Sequence, residues 1–320
     1  MTSPKKIAIL GAGAIGSVFG CLLATGGHEV TLVGREKHID AIRRRGLRMD
    51  GLWGEREVQE FNLVTAPDQI KDSLKFNYIL TAVKSHSTRS ILEEYHQLME
   101  PVEAVVSLQN GLGNLEVIAE YYPADRVVGG RVIFGARLIE PGWVRVTVEA
   151  DSVAVGWYRD GSISAREEIA DTFTSSGIKT RAVEDIHRYI WEKVLYNCAL
   201  NPLSAILGMS YGELMDCAHT HALIEKVIYE IFNVIEKEGK KISYRSPEEY
   251  LKKLFKELIP VTSTHYASML EDIRNGRQTE IDSLNRYIAV IGKRLRVPLE
   301  VNEGLTLIIK SLEGGFELDG

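Results

Sequence analysis

The spacing of apolar residues changes near residue 184 and divides the chain into two regions. Before that point, short runs rich in Val, Ile and Leu alternate with polar stretches, which is typical of a parallel sheet covered on both faces by helices. These runs predict strands at 7–10, 29–33, 61–64, 78–83, 104–107, 127–134 and 179–183, with helices at 17–25 and 165–175. After that point, apolar residues recur about every 3.6 positions, which indicates helices. The predicted helices cover 186–199, 214–238, 247–258, 269–274, 280–295 and 301–312.

Two further segments of the first region alternate more clearly between apolar and polar side chains. Residues 143–149 and 152–156 follow this period of two, which predicts an antiparallel addition to the sheet. We therefore expect an α/β domain at 1–184, mainly a parallel sheet with helices on both faces, and an all-α domain at 185–320. A cleft at their junction is the expected ligand site.

The first predicted strand runs directly into a glycine-rich turn with the sequence Gly11-Ala12-Gly13-Ala14-Ile15-Gly16. A strand, G-x-G-x-x-G and a helix in this order are typical of a site for a dinucleotide pyrophosphate. In such a site Gly11 permits the tight turn, Gly13 lets the backbone approach the phosphates, and Gly16 lets the helix pack on the strand. A glycine-rich turn without a ligand is the alternative, and the strand at 29–33 beyond the helix favours nucleotide binding.

The end of the second predicted strand indicates which dinucleotide binds. A site for NAD usually has Asp or Glu there to hold the ribose hydroxyls, whereas this chain has Arg35, with Lys37 two residues further on. A guanidinium donates two parallel hydrogen bonds to a phosphate and accepts none from a hydroxyl. The sequence therefore predicts NADP. The alternative is that Arg35 is an exposed loop residue and that Glu36 binds the ribose.

The second region has a polar helix face within an apolar segment. Lys193, Asn197 and Asn201 are spaced four apart in W-E-K-V-L-Y-N-C-A-L-N-P-L at 191–203, so they lie on one face of the predicted helix. A solvated stripe is the alternative, but its usual residues are Glu and Lys rather than paired Asn. Because a proline disfavours helical geometry in the residue before it, Pro202 predicts an end or a kink of the helix near Asn201.

Polar residues at three other places add to this candidate site. Gln109-Asn110-Gly111 and Lys84 each follow a predicted strand of the sheet, and ligands bind at the carboxyl ends of such strands. Ser268 begins the sequence S-M-L-E-D. The hydroxyl of Thr279 is expected to cap the helix predicted at 280–295. Capping accounts for Thr279 but not for its neighbour Glu280.

Composition narrows the classes of function. The chain of 320 residues has a formal net charge of −6, which does not favour nucleic acid or an anionic membrane as a partner. Its three cysteines, Cys21, Cys198 and Cys217, form no C-x-x-C pair and are predicted to be free thiols in a reducing compartment. The sequence has no recognisable signal peptide and no run of about 18 apolar residues, so we expect a cytoplasmic protein outside the membrane.

Together these segments closely resemble the ketopantoate reductase (2-dehydropantoate 2-reductase) family, over nearly the whole chain. The resemblance rests on G-A-G-A-I-G at 11–16, Lys84, Q-N-G at 109–111, the segment at 191–203, G-E-L at 212–214, and S-M-L-E-D and T-E-I-D within 268–282. It implies an N-terminal Rossmann domain that binds NADP and an all-α C-terminal domain, as in 6-phosphogluconate-dehydrogenase-like folds. It also implies reduction of ketopantoate to (R)-pantoate with NADPH, in the biosynthesis of pantothenate and coenzyme A.

The resemblance also implies roles for individual residues. Lys193 matches the lysine that gives a proton to the alkoxide formed by hydride transfer, and Glu280 matches a carboxylate that binds a substrate hydroxyl. Asn197, Asn201 and Ser268 match other substrate-binding positions. The residues expected to bind the cofactor, from the glycine-rich turn, the second strand and the resemblance, are Gly11, Ala12, Gly13, Ala14, Ile15, Gly16, Arg35, Lys84, Asn110 and Ala136.

One substrate-binding position departs from the family pattern. Well-known members have Asn before G-E-L, whereas this chain has Tyr211, whose phenol is larger and reaches differently. A reductase of another 2-oxo acid or of an imine is therefore one alternative. A non-catalytic NADP sensor is another, and it would have no use for Lys193 and Glu280. We expect a small 2-oxo acid as the substrate, a homodimer, and no metal.

Overall fold

The apolar runs of the first region form strands of two sheets. The computed structural model describes residues 3–70 and 75–314. Its strands are β1 (Lys6–Leu10), β2 (Glu29–Val33), β3 (Leu47–Gly51), β4 (Arg56–Val58), β5 (Asn62–Val64), β6 (Tyr78–Thr81), β7 (Ala104–Ser107), β8 (Val127–Arg131), β9 (Phe134–Glu140), β10 (Trp143–Glu149), β11 (Val153–Trp157) and β12 (Thr180–Ala182).

The larger sheet has eight strands within the described residues. Its order is β12-β11-β8-β7-β6-β1-β2-β5, and its neighbouring pairs are parallel except for β8 with β11. Residues 7–10 of β1 are fully buried although successive side chains point to opposite faces, so both faces of the sheet are covered. This explains why its strands appear in the sequence as unbroken apolar runs. The predicted parallel sheet, with an antiparallel strand at β11, is confirmed.

A second sheet of the described residues, in the order β4-β3-β10-β9, corrects two details of the prediction. The strand β10 belongs to it, and the run predicted as one strand at 127–134 ends at Arg131 and starts again at Phe134. The sequence did not predict β3, because polar residues interrupt it. Asp50 of β3 is buried beside Arg145 of β10, whose guanidinium donates to both carboxylate oxygens at 2.7 and 2.8 Å. Hydrogen bonding to this guanidinium lowers the pKa of Asp50.

The first helix of the chain is buried between these sheets and another helix. The helices described in this region are α1 (Ala14–Thr25), α2 (Glu36–Arg45), α3 (Thr88–Tyr95), α4 (Asn114–Ile118) and α5 (Ile163–Ser175). The ring of Phe19 in α1 contacts Phe134 of the second sheet and Phe173 of α5, with centroids 6.1 and 5.3 Å apart. This aromatic cluster fixes the helix that starts at the glycine-rich turn.

The second region folds as helices around a separate apolar core. Those described are α6 (Ile186–Leu207), α7 (Tyr211–Met215), α8 (Ala218–Lys237), α9 (Pro247–Lys253), α10 (Ile259–Val261), α11 (Ser268–Arg274), α12 (Asn285–Leu295) and α13 (Glu300–Leu312), with a π-helical turn at Leu254–Leu258 and a 3₁₀ turn at Ile281–Ser283. The apolar stripe of α8, which includes Val227 and Ile231, is buried in the same cluster as Leu195 of α6. No helix in the described part of the chain is long and apolar enough to cross a membrane.

The helix predicted at 214–238 consists of two helices. Ser210 caps α7, because its Oγ accepts from the Glu213 N–H while the Glu213 carboxylate accepts from the Ser210 N–H at 2.7 Å. The hydroxyl of Thr220 then donates to the carbonyl oxygens of Leu214 and Cys217 at the break. Bonds between side chains and the backbone thus divide a segment that apolar spacing alone predicts as continuous.

The contacts of the chain group it into two units. The first is Met1–Gln109 with Asn114–His187, and the second is Asn110–Gly113 with Arg188–Gly320. The four residues of Asn110–Gly113 follow β7 but pack with the helices, where the Leu112 N–H donates to the Ser283 carbonyl at 2.8 Å. The contiguous domains predicted from the sequence assign this segment to the sheet.

The helix α6 continues past Pro202 to Leu207, so a helix end near Asn201, one of the two predicted outcomes, is wrong. A proline has no N–H, so the carbonyl of Cys198 four residues earlier loses its usual helical donor. The side-chain amide of Asn285, on α12, donates to this carbonyl at 3.0 Å instead. A bond from a distant helix therefore compensates for the proline and lets α6 reach Leu207.

The same asparagine belongs to a buried polar network that connects four helices. Asn285 and Asn302 are both fully buried, and the Nδ2 of Asn285 also lies 3.0 Å from the Oδ1 of Asn302. The carboxylate of Glu230 accepts from the backbone and side-chain N–H groups of Asn302 at 3.0 and 2.6 Å. Because buried polar groups are costly when unpaired, this network fixes the register of α6, α12, α13 and α8 against one another.

We expect Asn285→Ala to lower the free energy of unfolding of the helical unit by about 3 kcal/mol, because two buried acceptors lose their donor. Adding Pro202→Ala should recover about 1–2 kcal/mol, because an alanine in place of the proline supplies the missing backbone N–H to Cys198. Urea unfolding followed by far-UV circular dichroism measures both changes.

The matched control is Pro202→Ala alone, in which Asn285 still occupies the Cys198 carbonyl. If the double variant is no more stable than Asn285→Ala, the amide of Asn285 does not replace the proline's missing donor.

Candidate functional site

The glycine-rich turn has the geometry that each of its glycines requires. Gly11 has a φ of +108°, and a Cβ there would lie 2.5 Å from the backbone nitrogen of Val83. A Cβ at Gly16 would collide with the carbonyl oxygen of Gly11. At Gly13, by contrast, a Cβ would meet no atom within 4 Å, so this glycine faces open space. The turn therefore leaves room at Gly13, where a phosphate would have to approach the backbone.

The start of α1 is suited to an anion. Gly13 is its N-cap, no side chain caps it, and its first turn contains no acidic residue. The N–H groups of Gly11 and Ala12 donate to the carbonyl of Val33 at 3.0 and 2.9 Å, which holds the turn against the end of β2. The first N–H groups of a helix bind negative charge, so the residues present fit a dinucleotide pyrophosphate.

Arg35 lies beside this turn. It is the exposed N-cap of α2, two residues after Val33. Glu36 is also exposed, in the first turn of α2, and Lys37 is exposed after it. The structure thus places the predicted phosphate-binding guanidinium and the alternative ribose-binding carboxylate at the same end of β2.

Gln109 organises the carboxyl ends of two neighbouring strands. Its Nε2 donates to the carbonyl of Val83 at 2.9 Å and to the hydroxyl of Thr88 at 2.7 Å, and its Oε1 accepts from Thr81 at 3.2 Å. The half-buried Lys84 directly follows Val83. The glutamine of Q-N-G therefore fixes the segment that carries Lys84.

Ala136 lies in the second sheet, whereas β6 and the strand before the glycine-rich turn belong to the larger sheet. It is half-buried in β9 opposite Val146 of β10. Strand β9 contacts α1, so Ala136 belongs to the same apolar core as that helix.

The helical unit brings together three of the predicted polar residues. The Nζ of Lys193 donates to the Oδ1 of Asn110 at 2.5 Å, and the Nδ2 of Asn110 donates to the Oε2 of Glu280 at 3.0 Å. Glu280 is 7% exposed and Lys193 is half-buried. An ammonium, an amide and a carboxylate thus form one hydrogen-bonded chain, which we call the Lys193–Asn110–Glu280 chain.

Two glycines allow Asn110 to reach this position. Gly111 and Gly113 have φ values of +84° and +89°, which side-chain-bearing residues rarely adopt. A Cβ at Gly111 would also collide with the carbonyl oxygen of Ser283. The sequence placed Asn110 with the cofactor-binding residues, and its contacts to Lys193 and Glu280 were not predicted, because they join residues distant in the chain.

Thr279 does not cap α12, which begins at Asn285 with Leu284 as its N-cap. Instead, the N–H and the hydroxyl of Thr279 both donate to the carboxylate of Glu313, at 2.7 and 2.5 Å. The hydroxyl also accepts from the Ile281 N–H at 3.2 Å. These bonds hold the residues on either side of Glu280. Sequence reasoning missed Glu313, whose place just after α13 gives no local sign of this contact.

The asparagine face of α6 is buried. Asn197 and Asn201 are 8% and 7% exposed, so they do not form the solvated stripe that was the alternative. Ser268, by contrast, is exposed at the first residue of α11. The structure therefore places the two asparagines and Ser268 in different environments.

Tyr211 contacts the asparagine face. Its hydroxyl donates to the Oδ1 of Asn201 at 2.8 Å, and its ring packs edge-on against Tyr196 and His265. Burial raises the pKa of Tyr211 well above its ordinary value, so the phenol keeps its proton and acts as a donor. This bond directs the Oδ1 of Asn201 toward Tyr211 and leaves its two amide hydrogens to donate elsewhere.

The described residues contain no group of three or more His, Cys, Asp and Glu side chains placed to hold a metal ion. The three cysteines are free thiols, as predicted, with Cys21 and Cys198 buried.

Comparison with known proteins identifies the family. Residues 7–159 match the family described as Ketopantoate reductase PanE/ApbA, and residues 185–313 match its C-terminal counterpart. A 2-dehydropantoate 2-reductase of Aquifex aeolicus (strain VF5) is 38% identical, over 96% of this chain and 97% of the relative.

Two solved structures share the fold over nearly their whole length. A D-mandelate dehydrogenase with NADH and anilino(oxo)acetate has a TM-score of 0.88 and 28% identity, covering 97% of this chain and 98% of that one. A PanE/ApbA family ketopantoate reductase from Ralstonia eutropha JMP134 has a TM-score of 0.86 and 27% identity, with the same coverage. These matches confirm the predicted fold class and the predicted resemblance. The chain belongs to the ketopantoate reductase PanE/ApbA family of oxidoreductases.

Proposed function

We propose that this chain reduces 2-dehydropantoate to (R)-pantoate with NADPH and that Lys193 is the proton donor. The Lys193–Asn110–Glu280 chain carries the proposal, because it places an ammonium and a buried carboxylate on the two sides of one amide. A reductase needs such a donor, whereas a protein that only binds NADP does not.

The proposal divides the work between the two regions. Residues 1–184 form the NADP-binding domain, and 185–320 form the domain that binds substrate and supplies the proton. The open face of Gly13 and the uncapped start of α1 support a pyrophosphate site, with the Ala14 and Ile15 N–H groups beside it. Arg35 would bind the 2′-phosphate of NADP. Lys84 and Ala136 are proposed as further cofactor contacts, from the family resemblance.

The chemistry that a bound NADPH supplies is the hydride that reduces the C2 carbonyl of the 2-oxo acid. Negative charge then develops on the C2 oxygen, and the Lys193 ammonium stabilises it and gives it a proton. The neutral side-chain amide of Asn110 accepts from the Lys193 ammonium and orients it. Lys193 is half-buried and takes up its next proton from solvent.

The remaining polar residues are proposed to hold the substrate. Glu280 accepts a hydrogen bond from a substrate hydroxyl, while Asn197, Asn201 and Ser268 bind its other polar groups. Tyr211 acts through Asn201, since its hydroxyl holds the Oδ1 and directs the amide hydrogens of that residue.

A second candidate function is reduction of another 2-oxo acid by the same chemistry. The replacement of the family's Asn by Tyr211 favours it, because the phenol and the nearby Tyr196 and His265 make this end of the asparagine face aromatic. The D-mandelate dehydrogenase with NADH and anilino(oxo)acetate, whose fold matches this chain, is a relative with an aromatic ligand.

The proposal also includes a cytoplasmic location and a homodimer. The three free thiols support a reducing compartment. Two copies of the chain are proposed to form a homodimer, and sedimentation of the purified protein tests this.

We expect the purified protein to oxidise NADPH in the presence of 2-dehydropantoate, with a higher kcat/KM than for other branched or aromatic 2-oxo acids. A spectrophotometric panel of these acids, with NADH as the cofactor control, measures this. Turnover of another 2-oxo acid without turnover of 2-dehydropantoate would select the second candidate, and NADPH binding without any turnover would contradict both.

Lys193→Ala should lower kcat by about 10²–10⁴-fold, because it removes both the proton donor and the charge beside the developing alkoxide. The Kd for NADPH should change by less than about threefold, since Lys193 lies outside the proposed pyrophosphate site. Steady-state kinetics and calorimetry measure the two effects, with the exposed Lys240→Ala as the control. Equal losses of kcat and of NADPH affinity would argue against the role of a proton donor.

Arg35→Asp should reduce the preference for NADPH over NADH by about 10–100-fold, because a charge-assisted pair with the 2′-phosphate is lost. The ratio of kcat/KM for the two cofactors measures this preference. Arg44→Asp, an exposed change on the same helix, makes the same change of charge and should leave the ratio unaltered. An unchanged ratio in Arg35→Asp would leave ribose binding to Glu36.

A further inference from the structure

A buried histidine lies next to the glycine-rich turn. His38 is in the first turn of α2, three residues after Arg35, and only 8% exposed. Its two ring nitrogens have different partners, on two other elements of the same unit. Neither the proposed reaction nor the fold class accounts for this residue.

One ring nitrogen defines the protonation state of His38. Its Nδ1 lies 3.1 Å from the backbone nitrogen of Gly142, in the turn between β9 and β10. A backbone N–H can only donate, so Nδ1 carries no proton and the single proton of the neutral ring is on Nε2. Burial lowers the pKa of His38, which favours this neutral form.

The other ring nitrogen leads to the glycine-rich turn. Since Nε2 carries the proton, it donates to the Oγ of Ser17 at 3.1 Å. The hydroxyl of Ser17 then donates to the carbonyl oxygen of Ala12 at 3.3 Å. The direction of every bond is thus determined, from the Gly142 N–H through His38 and Ser17 to Ala12.

The carbonyl oxygen of Ala12, which is the last acceptor in this series, belongs to the peptide that joins Ala12 to Gly13, beside the open space. The carbonyl of Ala12 and the N–H of Gly13 are in one planar trans peptide, so they point in opposite directions. A bond that holds the carbonyl toward Ser17 therefore also holds the N–H of Gly13 on the other side. Gly13 is the N-cap of α1, and a Cβ at this position would meet no atom within 4 Å. The backbone can therefore approach a phosphate there.

We propose that His38 is a positioning residue of the pyrophosphate site, which acts through Ser17 to orient the Ala12–Gly13 peptide toward a bound dinucleotide. The Gly142 N–H sets the tautomer, and Nε2 is the group that acts on the turn. The inference rests on the cofactor part of the proposed function and is independent of the 2-oxo acid.

Two substitutions separate the two nitrogens. In His38→Gln the side-chain NH₂ lies near the place of Nε2 and can still donate to Ser17, while the bond from Gly142 is lost. In His38→Asn the oxygen lies near the place of Nδ1 and can still accept from Gly142, while Ser17 loses its donor. Ser17→Ala is a smaller change that removes the link to Ala12 directly.

Calorimetry without any 2-oxo acid measures the Kd for NADPH, NADH and adenosine 2′-monophosphate, which has no pyrophosphate. We expect His38→Asn and Ser17→Ala to raise the Kd for both dinucleotides about tenfold, with an unchanged ratio between them. The Kd for adenosine 2′-monophosphate should stay within about twofold of the wild-type value. His38→Gln should bind both dinucleotides within about threefold of wild type, although its Tm falls.

A merely structural histidine would give a different result. Wild-type Kd values for both dinucleotides in His38→Asn and Ser17→Ala, or equal losses of affinity in His38→Gln and His38→Asn, would overturn the proposal. If His38→Asn does not fold, the same comparison of Ser17→Ala with His38→Gln decides it. A wild-type protein that binds NADPH but reduces no 2-oxo acid would contradict the proposed function alone, whereas one that binds neither dinucleotide would contradict both.

Discussion

The bond from Asn285 to the carbonyl of Cys198 is the interaction on which the polar face of α6 depends. The face formed by Lys193, Asn197 and Asn201 exists only if α6 keeps its helical geometry up to the residue before Pro202. A proline at that place removes the usual helical donor for one buried carbonyl. The replacement comes from α12, which the same asparagine links to α13. The polar face of α6 is therefore stabilised by contacts with α12 and α13.

The sequence predicted most of what depends on local spacing. The glycine-rich turn, the strands of the parallel sheet and the four-residue spacing from Lys193 to Asn201 are short-range patterns, and each predicts its own geometry. What it could not predict are bonds between distant residues. Asn110 meets Glu280 across 170 positions, Thr279 meets Glu313 across 34, and α6 continues because of Asn285. The strand β3 was missed for a related reason, since its buried Asp50 is acceptable only beside Arg145 of another strand.

Tyr211 shows how one substitution can change a site through a neighbour. A tyrosine in place of an amide still contacts the asparagine face, but it is buried and its hydroxyl is directed at Asn201. Asn201 is then fixed as a donor, which suits the oxygens of a carboxylate or a carbonyl. Under the proposed function, different residues of the same helix would set the reaction type and the substrate preference. In the proposed function Lys193 gives the proton, whereas Asn201 binds a polar group of the substrate.

The segment Asn110–Gly113 has a consequence for any attempt to dissect the chain. It leaves the sheet unit after Gln109, contributes its amide to the helical unit, and returns at Asn114, so the boundary between the units is crossed three times by the backbone. A fragment that begins at residue 188 would contain Lys193 and Glu280 without the residue that joins them. The helical unit is thus completed by a loop whose asparagine lies 83 positions before Lys193. Neither half of the gene specifies the whole of the proposed catalytic centre.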